Sequence, residues 1–304
     1  MNLGTSSRLP DKCVYSDCPS IKASPNSVHI VRKGFYFRSS DSKQIHRYFC
    51  YACRRSFSSA SWNPCFRQKR RNLNRRIQLL RASGVSQRRT AFLIGANRKT
   101  VVRKGLFMAE QAKLRHKEFL SSFESDKNKF AFLQMDEMES FEKSKCLPVS
   151  IPIIVAPRTR KILAIGVCSM PAKGLLAEFS RKKYGFRVDE RSQTMSRLLR
   201  SISHVTRPDV CFLTDENPKY PKWLKSVFPH AKHITTKGRR GCTVGQGELK
   251  RGGYDPLFDL NHTCAMIRAN VSRLFRRTWN TTKKRERLEA DLALYVDIHN
   301  SILT

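Results

Sequence analysis

Residues 130–136, FAFLQMD, and residues 210–215, VCFLTD, decide the fold of this 304-residue chain. Each stretch is an apolar run of strand length followed directly by an aspartate, Asp136 in the first and Asp215 in the second. Short apolar runs bounded by polar residues are typical of strands buried inside a sheet. Because functional groups gather at the carboxyl ends of neighbouring strands, the sequence predicts that Asp136 and Asp215 converge there.

Alternating strands and helices continue from residue 130 to the end of the chain. Further strands are predicted at 149–156, 162–167 and 233–235, and helices at 192–204, 218–227, 261–277 and 285–299. Hairpin-linked strands followed by alternating helices and strands predict an α/β fold, a mixed sheet with flanking helices on both faces. Residues 237–253, KGRRGCTVGQGELKRGG, contain six glycines and five basic residues and are expected to form a mobile loop.

The chain is strongly basic, with 59 Lys and Arg residues against 24 Asp and Glu residues and a formal net charge of +35. This excess predicts a large polyanionic partner, and nucleic acid is favoured over a membrane surface. No apolar stretch approaches the roughly 18–20 residues of a membrane span. The first residues, MNLGTSSRLPDKC, contain no apolar segment of a secretory signal. We therefore expect a cytoplasmic, nucleoid-associated protein that does not enter a membrane.

Cysteines are concentrated near the start of the chain, in two pairs with metal-ligand spacing. Cys13-x4-Cys18 and Cys50-x2-Cys53 lie about 30 residues apart and can supply four thiolates to a structural Zn2+. The sequence thus predicts a zinc ribbon over residues 1–60, in which the metal supplies stability that so short a segment lacks. Cys65 or His46 could replace one ligand, and four unrelated reduced cysteines are the alternative. Basic and aromatic residues alternate around the pairs, as suits DNA contact.

Residues 61–125 are basic and have helical spacing of apolar residues. A turn containing Gly95 precedes a helix that begins near Arg98, which is the pattern of a helix-turn-helix DNA-binding segment. A helical linker with a solvated basic face is the alternative. The residues predicted to face double-stranded DNA are Asn97, Arg98, Lys99 and Arg103.

Acidic residues are rare in this chain, yet Asp136, Glu137, Glu139 and Glu142 fall within seven positions. Oxygen ligands of this kind suit Mg2+ or Mn2+, and Asp136 together with Asp215 is the predicted pair. The alternative is that both aspartates are turn residues or partners in ion pairs.

Five segments follow one another along the chain: the ribbon, the helix-turn-helix, LQMDEMESF (133–141), FLTDENPKY (212–220) and LNHTCAMIRANVSRLFRRTWNTTKK (260–284). In this order they resemble the DDE-type transposases of bacterial insertion sequences. The likeness is greatest to the group related to insertion sequence one, and it covers most of the chain. The resemblance implies an RNase-H-like catalytic domain over residues 126–304, with Asp136 and Asp215 as the first two ligands of two divalent ions. It also implies a homo-oligomer on DNA, because two element ends must be held together.

The third catalytic position departs from the family pattern. The family places Glu twelve residues before the Arg that corresponds to Arg273, and that position is Asn261. Helical spacing predicts that Asn261 faces inward, beside an apolar stripe, although Asn is also a good residue to cap a helix. Glu248 in the Gly-rich segment is the second candidate, and Asp259 is a further competitor.

The resemblance implies a transposase that binds the terminal repeats of an insertion sequence and catalyses metal-dependent DNA cleavage and strand transfer. A catalytically inactive, transposase-derived repressor or regulator is the alternative, and an RNA-binding zinc ribbon protein is a third hypothesis. Residues expected to contact phosphates along the catalytic domain are Arg239, Arg240, Arg268, Arg273, Arg276, Arg277, Lys283 and Lys284.

Overall fold

The computed structural model describes residues 9–21, 29–39, 41–237, 255–275 and 280–303. The chain forms two compact units, Met1–Asn74 and Arg75–Thr304. Residues 75–125 of the predicted helical segment therefore belong to the same unit as the predicted sheet, while the division of the chain into three functional parts stays a prediction. Within the described ranges, no helix combines the length and hydropathy needed to cross a membrane.

The first unit contains a small antiparallel sheet. Its strands are β1 (Ile30–Arg38), β2 (Lys43–Cys50) and β3 (Arg55–Ser58), and β2 lies between the other two. Tyr48 and Phe57 are buried with the cysteines, and the Trp62 ring meets both of them edge-on. A core of this size buries too little apolar surface to stabilise a fold without further help.

A mixed sheet forms the centre of the second unit, as predicted. Its strands run in the spatial order β6-β5-β4-β8-β9, and β7 pairs with β5. Strands β4, β5 and β6 are antiparallel neighbours, whereas β8 and β9 run parallel to β4. The strand bounds are β4 Phe130–Phe141, β5 Pro148–Val155, β6 Ile162–Ile165, β7 Cys168–Ser169, β8 Thr206–Thr214 and β9 Lys232–Thr235.

Strand β4 is longer than the sequence indicates. Asp136 lies in its middle rather than at its end, because the strand stays paired with β5 as far as Phe141. Its parallel pairing with β8, in contrast, stops at Gln134. Asp215 follows the last residue of β8 directly, as predicted.

Helices flank the sheet, which confirms that part of the predicted fold class. One of them, α4, was not predicted at all, and α7 begins and ends earlier than expected. The bounds are α1 Leu73–Ala82, α2 Gln87–Leu93, α3 Arg98–Ser121, α4 Leu176–Tyr184, α5 Arg191–Ile202, α6 Tyr220–Lys225, α7 Phe258–Asn270 and α8 Arg285–Ile302.

Side-chain alternation along the strands produces one core on each face of the sheet. On the first face, Met135 and Phe212 pack in a buried cluster with Leu199 of α5. On the second face, Leu213 packs in a separate cluster with Leu260 of α7. Because successive strand residues point to opposite faces, the side of the sheet that each β4 residue occupies follows from its position.

A buried ion triad joins α1, α8 and the turn after α7. The Asp291 carboxylate accepts hydrogen bonds from Arg81 Nη2 and Arg273 Nε, each at 2.6 Å. The side chains of Arg81 and Asp291 are only 3% and 7% exposed. Arg273 is thus engaged inside the protein, which makes it less able to contact a DNA phosphate.

Replacing Asp291 with asparagine should destabilise the second unit by about 3–5 kcal/mol, because it leaves two guanidinium groups without their buried counter-charge. The matched control is Asp209→Asn, which breaks the exposed ion pair of Asp209 with Arg207 and should leave the unfolding midpoint close to that of the parent. The midpoint of urea unfolding measures both effects. Equal midpoints for the two variants would contradict the role given to the triad.

Candidate metal and DNA-binding sites

The four predicted cysteines come together in the first unit. The Sγ atoms of Cys13, Cys18, Cys50 and Cys53 all lie within 4.8 Å of one another. The Cys13–Cys53 and Cys18–Cys50 Sγ separations are both 3.7 Å. Four sulfurs around a tetrahedral Zn2+, with Zn–S bonds of about 2.3 Å, would be separated by about 3.8 Å. The donor set and its spacing therefore fit zinc, and the predicted clustering of these residues is confirmed.

The surroundings of the cysteines already favour one thiolate. Burial raises the pKa of Cys53, but hydrogen bonds from the side chain and backbone of Arg55 outweigh it and lower that pKa to about 7. Arg55 is itself held by Asp17 at 2.7 Å and by the ring of Tyr15. Burial raises the pKa of Cys13 to about 12. A bound cation would have to displace that thiol proton, as zinc does when it binds cysteine.

Cys65 and His46 lie outside this cluster. The Cys65 sulfur accepts a hydrogen bond from Asn74 Nδ2 at 3.3 Å instead. Among the described residues, the four cysteines are the one group of three or more His, Cys, Asp or Glu side chains with ligand atoms this close. The structure thus separates the four clustered cysteines from Cys65 and His46, the two substitutes that the sequence left open.

Asp136 and Asp215 occupy neighbouring positions on adjacent parallel strands. Gln134 of β4 pairs with Leu213 of β8, and the two aspartates follow two residues later on each chain segment. Leu213 and Met138 both belong to the core beneath α7. Since side chains alternate with a period of two, Asp136 and Asp215 lie on that same face of the sheet.

Burial and neighbouring charges change the pKa of the Asp136 carboxyl group. Burial raises the pKa of Asp136 to about 6, and the negative charge of Asp215 contributes to the increase. Two hydrogen bonds lower the pKa of Asp136. Its Oδ1 accepts one from the backbone N–H of Glu137 at 2.6 Å and one from the Tyr220 hydroxyl at 3.3 Å. Two partly buried carboxylates that repel each other are hard oxygen donors, so the pair fits Mg2+ or Mn2+.

Glu137, the next residue, points to the opposite face. Its Oε1 accepts a hydrogen bond from Ser150 Oγ at 2.6 Å. The charges that act on it come from Arg191 and Asp189, near the start of α5, and from Lys219. Asp189 forms ion pairs with both of these cations. Glu137 therefore belongs to a charged network on the α5 side of the sheet, although its negative charge also contributes to the raised pKa of Asp136.

A glutamine that the sequence analysis did not single out holds α7 against the strand of Asp136. Gln134 Nε2 donates to the Pro256 carbonyl at 2.8 Å, and its Oε1 accepts from the Leu260 N–H at 3.0 Å. Burial raises the pKa of the Cys264 thiol to about 12, and the Asp136 charge contributes to this increase. The first turns of α7 thus lie beside the acidic pair.

Asn261, the residue predicted as the third catalytic ligand, has a different environment from the one that the sequence predicts. Asn261 is exposed rather than inward-facing, because the helix buries Leu260 and Cys264 and one residue corresponds to a rotation of about 100°. Its Nδ2 donates to Asp255 Oδ2 at 2.9 Å, and it does not cap the helix. The Asp259 carboxylate accepts the N–H of Arg158 at 2.8 Å. Glu248 lies outside the described residues.

The residues predicted to read DNA lie at the start of α3 and are all exposed. Asn97 caps this helix, because its side-chain oxygen accepts the N–H of Lys99 at 2.8 Å. Ser86 caps α2 in the same way. Arg98, Lys99 and Arg103 are exposed side chains of α3. Contact between these side chains and the bases of DNA stays a prediction.

The predicted phosphate contacts are described only in part. Lys283 and Lys284 are exposed where α8 begins, and Arg268 is half-buried on α7. The predicted contacts that lie outside the described residues are Arg239, Arg240, Arg276 and Arg277.

Removing the Asp136 charge should stabilise the protein when no divalent cation is added. The pKa of this group rises from 3.8 to about 6 on folding, so above pH 6 its ionised form costs about 3 kcal/mol of stability. This cost disappears as the pH falls below 4, where the carboxyl is protonated in both states. Asp136→Asn should therefore unfold at a higher temperature than the parent at pH 7.5, with the difference vanishing toward pH 4. Calorimetry at both pH values measures it, and a less stable variant at pH 7.5 would contradict the electrostatic account.

Comparisons with known proteins give a distant structural likeness. No protein-family model matches the chain, and no curated protein matches it. Among solved structures, the chain is similar to a chain of the Mos1 transposase paired-end complex with left transposon end. The identity is 12%, the TM-score is 0.23, and the alignment covers 66% of this chain and 76% of the other. At this TM-score, neither the fold nor the function can be inferred from the likeness.

Proposed function

We propose that this chain is a DDE-type transposase of the group related to insertion sequence one, which binds the ends of its element and cleaves and joins DNA. The observation that carries the proposal is the position of Asp136 and Asp215, each of which comes two residues after the last paired residues of β4 and β8, Gln134 and Leu213. Side-chain alternation directs both aspartates toward the face that carries Leu213 and Met138. Their charges are close enough to interact. An RNase-H-like catalytic domain is supported by the strand order β6-β5-β4-β8-β9, in which β5 alone runs antiparallel to the other four strands.

Asp136 and Asp215 would hold Mg2+ or Mn2+, which when bound supplies Lewis-acid stabilisation of phosphoryl transfer. The Tyr220 hydroxyl and the Glu137 N–H orient the Asp136 carboxylate by donating to its Oδ1. The Asn217 N–H donates to Asp215 Oδ1 at 3.1 Å and fixes the second carboxylate. These contacts preorganise the acidic pair, so that little rearrangement is needed when a phosphate arrives.

DNA binding is assigned to the zinc ribbon and to the exposed start of α3. The high positive charge of the chain predicts that affinity for DNA falls steeply as salt rises. Holding two element ends would require more than one copy of the chain on the DNA.

A catalytically inactive, DNA-binding regulator is the second candidate. It is favoured by Asn261, which replaces the family's third carboxylate and is exposed and bonded to Asp255. Nicking of a supercoiled plasmid that carries the DNA flanking the coding sequence distinguishes the two candidates. Nicking that requires Mg2+ or Mn2+ supports the transposase, whereas tight binding to that DNA with no nicking in either ion supports the regulator.

A further inference from the structure

Helix α4 and its flanking residues display large apolar side chains to solvent. Leu175 is 101% exposed, Phe179 is 54% exposed and Phe186 is 80% exposed. Ser180 is the one buried residue of the helix, and its hydroxyl donates to the Cys146 carbonyl at 2.6 Å. Contiguous exposed apolar residues of this kind mark interaction surfaces. Residues 173–188 are called the α4 surface below.

The α4 surface is also basic. Arg181, Lys182 and Lys183 occupy its last turn, opposed on this helix by Glu178 alone. Lys183 Nζ lies 5.7 Å from the centre of the Phe179 ring and 5.6 Å from that of Tyr184. Aromatic faces and cations therefore share one exposed patch.

We propose that the α4 surface binds unpaired DNA, with Phe179 and Phe186 stacking on bases and the basic turn contacting phosphates. Aromatic rings can stack on bases only where the base faces are accessible, which favours a single strand over a duplex. Pairing with a second copy would bring two basic helices together, and this repulsion argues against self-association.

The two ends of the α4 surface are held by contacts with strands β4 and β7. Lys173 Nζ forms an ion pair with Glu139, three residues beyond Asp136 on β4, at 2.7 Å. At the other end of the surface, the Val188 carbonyl accepts the Ser169 hydroxyl of β7 at 2.8 Å.

Fluorescence anisotropy of the full-length, zinc-loaded protein tests the inference. The probes are a labelled oligothymidine of about 20 nucleotides and a blunt duplex of the same length, without added Mg2+ so that cleavage cannot intervene. The double variant Phe179→Leu, Phe186→Leu keeps the apolar bulk but removes both rings. Its Kd for the oligothymidine should rise by roughly tenfold or more, while its Kd for the duplex stays unchanged.

Two further variants serve as controls. Leu175→Ala removes an apolar side chain that is more exposed than either ring but is not aromatic, and this variant should bind both probes like the parent. Phe179→Trp keeps a stacking face and should bind the oligothymidine at least as tightly. Parental binding by the double leucine variant would overturn the inference, and so would a change of oligomeric mass in Phe179→Ala with oligothymidine binding unchanged. Because these assays need no catalysis, absence of nicking would refute the proposed function and leave this result standing.

Discussion

Replacing any one of the four clustered cysteines with serine should unfold the first unit and remove its zinc. The buried residues around the cysteines are few, and the apparent free energy of structural zinc binding, about 10–16 kcal/mol, exceeds what such a core supplies. Elemental analysis should show one zinc per parent chain and much less in the variant. Hydrogen exchange should show that β1 and β2 lose protection, while β4 and β5, which have their own cores, keep it.

Cys65→Ser is the matched control for the zinc prediction. Cys65 lies in the same unit and accepts a hydrogen bond from Asn74, but it is not part of the thiolate cluster. This variant should retain its zinc and the exchange protection of β1 and β2. A Cys50→Ser variant that keeps full protection without metal would show that the first unit folds on its own core.

Replacing Asp136 or Asp215 with alanine should reduce DNA cleavage by roughly a thousandfold or more, because a catalytic cation stabilises the transition state by several kcal/mol. The double variant should be no worse than either single variant, since the two carboxylates act on one cation as a unit. Binding to element-end DNA should persist in all three, because it is assigned to the zinc ribbon and α3. Plasmid nicking and gel-shift assays measure the two properties separately.

Glu137→Gln provides the control for that prediction. Glu137 is adjacent to Asp136 and partly buried, yet it faces the α5 side and bonds to Ser150. The variant should therefore cleave DNA at close to the parental rate. If Glu137→Gln were as inactive as Asp136→Ala, activity would not depend on which face of the sheet carries the carboxylate. The assignment of Asp136 and Asp215 as the catalytic pair would then be contradicted.

The sequence predicted the features that depend on local patterns. Apolar runs located the strands of the mixed sheet, because burial on both faces requires continuous hydrophobic residues. Spacing alone identified the four cysteines, since a closed thiolate shell needs two short loops that each bear two ligands. Helical periodicity located α5 and α8 to within a few residues.

Features that depend on tertiary contacts were not predictable in the same way. The extension of β4 past Asp136 is set by pairing with β5, which no local pattern reports. Helix α4 lacks an apolar stripe facing a core, so periodicity did not reveal it. The Tyr220 hydroxyl donates a hydrogen bond to Asp136, and Gln134 donates one to the Pro256 carbonyl just before α7. Both contacts join residues that are far apart in the sequence. Helical spacing does not determine which face of α7 meets the core, and the packed helix buries Leu260 and Cys264 and leaves Asn261 exposed.

Binding of Mn2+, followed by electron paramagnetic resonance, tests most directly whether Asp136 and Asp215 share one cation. Titrations should compare the parent with Asp136→Asn, Asp215→Asn and Glu137→Gln, each in its zinc-loaded form. We expect the parent and Glu137→Gln to bind Mn2+ with similar affinity, and each aspartate variant to lose that binding. Equal Mn2+ affinity in all four proteins would contradict the shared site and the enzyme built on it.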